Sequence, residues 1–394
     1  MGLNTTPSGE RIQIGFFGCR NAGKSSLVNA VTNQETAIVS ETKGTTTDPV
    51  KKAMELLPLG PVSIIDTAGY DDEGALGEMR KNQTLKVLNR TDIAILVVDS
   101  KVGLNECDNE LIAIFKEKEI PYITAFNKSD KCRKTDLKEN EISLSATEKT
   151  GIEELKNMIS KMVKTDIKKP LVSDLVKPVD IVVLVIPIDE SAPKGRLILP
   201  QQQVIRDLLD KGAIPVVCRD SELEKTLTLL SEKPKLVICD SQVFKLTDKL
   251  VPEDIPLTSF SVLMARYKGF LDEAVEGAYC IDKLKDGDTV LIAEGCTHHR
   301  QCKDIGMVKL PNLIKKYTKK DLKFKTVSGT DFPDDLSEFA LIVHCGGCML
   351  NECEVLYRVR TAREKGVPIT NYGTAIAYLN GILTRAIGKM HNAF

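Results

Sequence analysis

The chain has 394 residues, with 54 Lys and Arg against 55 Asp and Glu. That balance excludes a global field drawing it to nucleic acid or an anionic membrane, and the length implies two or three domains at about 150 residues each. Its apolar runs, such as Ile93 to Val98 and Ile181 to Ile188, are far shorter than the roughly 20 residues that cross a bilayer.

From Arg11, short β-branched runs alternate with amphipathic stretches, as in a doubly wound α/β domain. Strands are expected near 12–17, 62–65, 93–98 and 121–126. A helix with Ile152, Leu155, Ile159 and Met162 at helical spacing then precedes Lys168-Lys169-Pro170, where a boundary fits. A second α/β segment begins at Val179, with strands at Ile181 to Ile186, Ile214 to Cys218 and Leu236 to Cys239 and helices at Gln201 to Lys211 and Glu222 to Leu230. A third begins near Gly269, with strands at Thr289 to Ala293, Phe339 to Val343 and Pro368 to Thr370. Lys309 to Lys325 holds seven Lys against one acid, Asp321, which reads as a solvated helix face or as a dock for an acidic surface.

Gly18-Cys19-Arg20-Asn21-Ala22-Gly23-Lys24-Ser25 satisfies GxxxxGKS between the first strand and a helix that starts near Lys24. Such a loop folds its amides around phosphate, Lys24 reaches the β- and γ-phosphates, and Ser25 ligates magnesium. Asp66-Thr67-Ala68-Gly69 follows a strand, placing Asp66 on magnesium and the Gly69 amide near the γ-phosphate. Between the two lies Gly44-Thr45-Thr46-Thr47-Asp48-Pro49, where Thr46 is the expected magnesium ligand and Thr45 its near alternative. Asn127-Lys128-Ser129-Asp130 follows another strand, and the Asp130 carboxylate can accept from guanine N1 and the exocyclic amine, a donor pair adenine lacks. Ser145-Ala146-Thr147 completes the base pocket. Four such motifs in order define a P-loop GTPase domain over residues 1–168. The expected fold class is α/β: this domain, then two further α/β domains at 169–268 and 269–394 with mainly parallel sheets.

Eleven Cys with no secretory pattern at Met1 to Thr6 point to a reducing, cytoplasmic setting, where thiols stay free or bind metal. Six are scattered (Cys19, Cys107, Cys132, Cys218, Cys239 and Cys280) and read as small buried apolar groups. The other five fall between 296 and 353, beside three of the four His. Cys296-Thr297-His298 and His344-Cys345-Gly346-Gly347-Cys348 each follow a strand, and such loops converge at the carboxyl edge of an open sheet. Three thiolates suit a four-iron cluster with one open iron; a closed Cys3His zinc site is the rival, and a redox or buried thiol pair the plainer reading.

The phosphate loop with Ser26-Leu27, the Gly-Thr-Thr loop and Asp-Thr-Ala-Gly resemble the Era and TrmE branch of translation-factor-like GTPases. That likeness implies potassium beside the phosphates at Asn21. It also implies slow intrinsic hydrolysis, because Tyr70 stands where signalling GTPases carry a catalytic Gln. With the middle segment and the CxH…HCxxC signature, nearly the whole chain resembles the HydF family of iron-only hydrogenase maturation GTPases. The resemblance implies a four-iron cluster on Cys296, Cys345 and Cys348, with His298 and His344 as further ligands or positioning groups. In some members a carboxylate a few residues after the first Cys is the fourth ligand; here Lys303 and Asp304 occupy that region, and Cys302 is a substitute. It further implies a homodimer through the middle domain, delivery of a di-iron precursor to apo-hydrogenase, and radical-type maturation enzymes as partners; from the charge balance and the short apolar runs, no membrane or nucleic acid is expected. A zinc-binding GTPase acting on tRNA or the ribosome is the alternative. The tRNA-modifying family differs in embedding its GTPase in a helical domain and ending in a reactive Cys motif, where this chain reads Lys389 to Phe394.

Overall fold

The computed structural model describes residues 6–32, 50–70, 75–163, 169–188, 197–295 and 305–390. The chain divides into two compact units, 1–167 and 168–394.

In the first unit the strands are β1 (Ile12–Phe17), β2 (Val50–Leu56), β3 (Gly60–Asp66), β4 (Ile93–Asp99), β5 (Tyr122–Asn127) and β6 (Glu141–Ser143), with helices α1 (Lys24–Thr32), α2 (Ala75–Leu88), α3 (Glu106–Glu117) and α4 (Ile152–Met162). The sheet order is β2-β3-β1-β4-β5-β6, and only the β2–β3 pair is antiparallel. β1 and β4 are buried on both faces, which explains their unbroken apolar runs. One face carries Ile14, Phe16, Leu27 and Leu155, the other Phe17, Leu96, Leu111 and Phe115. The carboxyl ends of β1, β3, β4 and β5 therefore open on one edge, where open α/β sheets bind their ligands.

The second unit holds two four-stranded parallel sheets. The first comprises β7 (Ile181–Val185), β8 (Ile214–Cys218), β9 (Leu236–Cys239) and β10 (Leu257–Ser259), in the order β10-β9-β7-β8. The second comprises β11 (Thr289–Glu294), β12 (Lys323–Ser328), β13 (Phe339–His344) and β14 (Ile369–Asn371), in the order β12-β11-β13-β14. Helices α5 (Leu199–Lys211), α6 (Leu223–Leu229), α7 (Phe244–Leu250), α8 (Phe260–Tyr267), α9 (Leu271–Tyr279), α10 (Leu310–Thr318), α11 (Glu352–Glu364), α12 (Tyr372–Leu379) and α13 (Leu383–Ile387) cover them. One core runs from Val183 and Val237 of the first sheet, through Val262 and Phe270, to Leu291 and Ile342 of the second. The two sheets thus share a single hydrophobic interior. The lysine run read as one helix face is α10, a turn and the edge strand β12, so Lys323 and Lys325 sit in a sheet. Charged residues on an edge strand discourage pairing with other chains.

Candidate functional site

The phosphate loop leaves β1 through backbone that only glycine adopts freely: φ is +138° at Gly18 and +91° at Gly23. A Cβ at Gly23 would lie 2.3 Å from Asn127 Nδ2, so the loop is also packed too closely for a side chain there. Asn21 takes φ +61°, and its carbonyl accepts from Lys128 Nζ at 2.7 Å. Lys24 is buried and donates to the carbonyls of Gly18 and Cys19 at 3.0 and 2.8 Å, so its ammonium sits within the loop. Ala22 is buried, whereas Ser25 and Ser26 are exposed on the first turn of α1.

Ser25 Oγ donates to Asp66 Oδ2 at 2.6 Å. Burial pushes the Asp66 carboxyl up, opposed by the Ser25 hydroxyl and the charges of Lys24 and Lys52. Its second oxygen is buried with no hydrogen-bond partner. A hydroxyl beside a carboxylate with an orphaned oxygen suits a hard divalent cation, and Ser25 and Asp66 would hold magnesium there, which neutralises phosphate charge. The segment after Asp66 is tied to the loop by Thr67 Oγ1 donating to Phe16 O at 2.6 Å and the Tyr70 amide to Gly18 O at 3.4 Å. Gly69 backs directly onto Arg20. The Tyr70 side chain is buried and donates its hydroxyl to Glu110 of α3 at 2.9 Å, a packing role.

Asn127 joins the phosphate and base regions. Its Nδ2 donates to Ala22 O at 3.0 Å, and its Oδ1 accepts from the amides of Lys128 and Ala146 at 2.8 and 3.0 Å. Ser145 Oγ donates to Asp130 Oδ1 at 2.6 Å, orienting the carboxylate assigned to guanine. Lys128 Nζ also pairs with Asp99 at 2.7 Å, a partner at the end of β4 that no motif signals.

In the second unit the ends of β11 and β13 meet. The Cys345 amide donates to Ala293 O at 2.9 Å, and Cys345 Sγ accepts from the amides of Gly295 and Gly347 at 3.0 and 3.3 Å. Burial raises the Cys345 thiol while these two amides lower it; Cys348 is pushed up to about 11 by burial and by Cys345 nearby. Two neighbouring thiols with amide donors on sulfur fit a cationic soft centre, which favours their thiolate forms. Gly347 has φ +64°, the conformation that bends the Cys345-to-Cys348 turn. Lys268, 3% exposed, bonds Leu350 O at 2.8 Å, and its charge favours the Cys348 thiolate.

His344 is 1% exposed, and burial, then Arg358, push it down to about 3. Its Nδ1–H donates to Cys345 O at 2.7 Å, and its Nε2 accepts from Arg358 Nη1 at 3.2 Å. With both nitrogens engaged, the ring acts here as a positioning group for Cys345. Sequence reasoning missed Arg358 and Glu354, which stand on α11, and Lys268, which follows α8, all with no motif around them. Thr45, Thr46, Cys296, His298, Cys302, Lys303 and Asp304 lie outside the described residues.

Phosphate loop, magnesium position and guanine pocket on one edge of the first sheet define a GTPase domain. The family described as 50S ribosome-binding GTPase matches residues 13–128. The hydrogen maturase F dimerization and tetramerization domains match 171–269 and 272–389, together more than half of the chain. The chain belongs to the hydrogen maturase F family, GTPases of hydrogenase maturation. The tRNA modification GTPase MnmE of Lachnoclostridium phytofermentans is 34% identical over 172 residues, covering 41% of this chain and 37% of that protein. GTPase Der of Campylobacter concisus is 39% identical over 126 residues, 31% of this chain and 27% of that one. The chain thus spans well under half of these relatives. A structure of Aquifex aeolicus Era bound to GDP and AlF4− is 18% identical, covers 56% of this chain and 98% of that one, and has a TM-score of 0.35.

Proposed function

We propose that the chain hydrolyses GTP and serves as a cytoplasmic scaffold for the active-site cluster of iron-only hydrogenase. In this reading Cys296, Cys345 and Cys348 hold a four-iron cluster, on which a di-iron precursor is received or completed before delivery to apo-hydrogenase. Radical-type maturation enzymes are the other partners. The observation that carries the reading is the Gly295 amide on Cys345 Sγ at 3.0 Å. It supports convergence of the two signature segments, since Cys296 is the next residue along the chain. Three thiolates leave one iron without a protein thiolate, which a transfer scaffold needs.

At the nucleotide site Lys24, Thr46 and the Gly69 amide act on the γ-phosphate, Ser25, Thr46 and Asp66 hold magnesium, and Asn21 holds potassium. Self-association is supported by β8, an edge strand with Ile214 and Val217 exposed by 45% and 48%, within the segment matching the dimerization family. No described helix is long and apolar enough to cross a membrane. Anaerobic purification with iron, sulfide and zinc quantification tests the cluster: about four iron and four sulfide per chain are expected, and stoichiometric zinc without iron would replace the reading with a zinc-binding GTPase.

A further inference from the structure

Cys19 and Cys107 are 88 residues apart in sequence, yet their sulfurs stand 2.8 Å apart. Cys19 is the second residue of the phosphate loop and is buried; Cys107 lies in the first turn of α3 and is partly exposed. Asn105 and Asp108 surround the Cys19 sulfur: Nδ2 of Asn105 donates to it at 3.2 Å, and Oδ1 of Asp108 accepts from its thiol at 3.3 Å. The same two residues cap α3 reciprocally, the Asp108 amide on Asn105 Oδ1 at 2.9 Å and the Asn105 amide on Asp108 Oδ2 at 3.2 Å. Their polar groups are therefore accounted for by the helix start, and the paired thiols are what is left to explain.

Two thiols and a carboxylate within 4.8 Å of one another could in principle hold a metal. Sulfurs bound to one tetrahedral zinc, each at about 2.3 Å, stand about 3.8 Å apart. The observed 2.8 Å is a full ångström shorter than that, whereas a disulfide needs a further approach of only about 0.8 Å. The spacing favours a bond between the sulfurs over an ion between them.

We propose that Cys19 and Cys107 are a reversible dithiol switch, oxidised by hydrogen peroxide, that clamps the phosphate loop to α3 and slows GTP turnover. The more exposed Cys107 thiol attacks peroxide oxygen, breaking the O–O bond to give a sulfenic acid and water. Cys19 sulfur then displaces hydroxide from the sulfenic sulfur, forming the S–S bond; its proton leaves with the hydroxide as a second water. In sum, two thiols lose two electrons to one peroxide. The clamp acts where the loop is most constrained, since the Cys19 carbonyl holds Lys24 Nζ at 2.8 Å. Reacting groups displaced by an ångström can lose about 100-fold in rate. The effect on turnover rests on the reading of residues 18–25 as the phosphate loop; the bond itself does not.

The full-length protein, reduced and then treated with hydrogen peroxide under argon, is alkylated, digested and mapped by mass spectrometry. GTP turnover is followed before oxidation, after it, and after dithiothreitol, in parallel with Cys107→Ser. Expected are a linked Cys19–Cys107 peptide, turnover lowered by at least ~10-fold and restored by reduction, and no such loss in Cys107→Ser, which keeps every other thiol. Absence of the linked peptide, a linked peptide with unchanged turnover, or an equal loss in Cys107→Ser would overturn the switch. So would zinc that copurifies with the reduced protein and is lost in Cys107→Ser. A reduced protein that turns over no GTP would contradict the nucleotide reading instead, while the peptide map would still report on the bond.

Discussion

Arg358 Nη1 donates to His344 Nε2 at 3.2 Å, inside a unit where neither residue is more than 1% exposed. The same guanidinium bonds Glu354 at 3.0 Å and Gly329 O at 2.6 Å. The ring passes this anchoring on to the Cys345 carbonyl. Arg358→Met would leave the Glu354 carboxylate buried and unpaired, a cost of about 3–5 kcal/mol. The chain has no Trp, so urea unfolding followed by circular dichroism is the measurement. A loss below about 1 kcal/mol would show that the network does not support the thiol turn.

Guanine selectivity should depend on both Asp130 and the hydroxyl that orients it. Asp130→Asn is expected to shift preference towards xanthine nucleotides. Ser145→Ala, which removes the 2.6 Å bond to Asp130, should weaken GTP binding by roughly 10-fold at an ordinary hydrogen-bond value. Calorimetric titration reads both, and equal binding of ATP and GTP by the native protein would contradict the base pocket.

Gly23 tests the close fit of the phosphate loop. With φ at +91° and an added Cβ 2.3 Å from Asn127 Nδ2, Gly23→Ala must break the Asn127 bridge or move the loop. Loss of GTP affinity by at least ~100-fold is expected, from strain plus displaced amides. An alanine variant with native affinity would show that the loop is far more tolerant than its backbone implies.

The strands central to each sheet were legible because burial on both faces makes them apolar runs, as in β1, β4, β7 and β13. β2 and β12 were not: they lie at sheet edges and carry Lys51, Lys52, Lys323 and Lys325, so no continuous apolar run marks them. The nucleotide motifs could be read because their spacing reflects strand-to-helix turns closed by a few glycines. Contacts that cross the sheet left no such trace. Cys19 and Cys107 read as unrelated buried thiols and are brought together only by the packing of α3 beside β4. Arg358 stands on α11 with no motif around it to signal that it is fully buried.

Potassium should raise GTP turnover well above sodium at equal ionic strength, because the exposed Asn21 side chain stands in the phosphate loop and Tyr70 is committed to Glu110. A cation there would stabilise charge developing in the transition state. If Asn21→Ala kept the full potassium response, that side chain would have no part in it.

The most direct test of the account is anaerobic reconstitution of Cys345→Ser beside the native chain, with electron paramagnetic resonance of the reduced cluster and a GTP assay on each. Cys345 Sγ receives the amides of Gly295 and Gly347, whereas the described nucleotide-site residues all lie in the first unit. The account predicts loss of the four-iron signal and of hydrogenase activation, with GTP turnover retained. A native cluster signal in the variant would contradict the thiol assignment, and loss of GTP turnover in a folded variant would contradict the independence of the two sites.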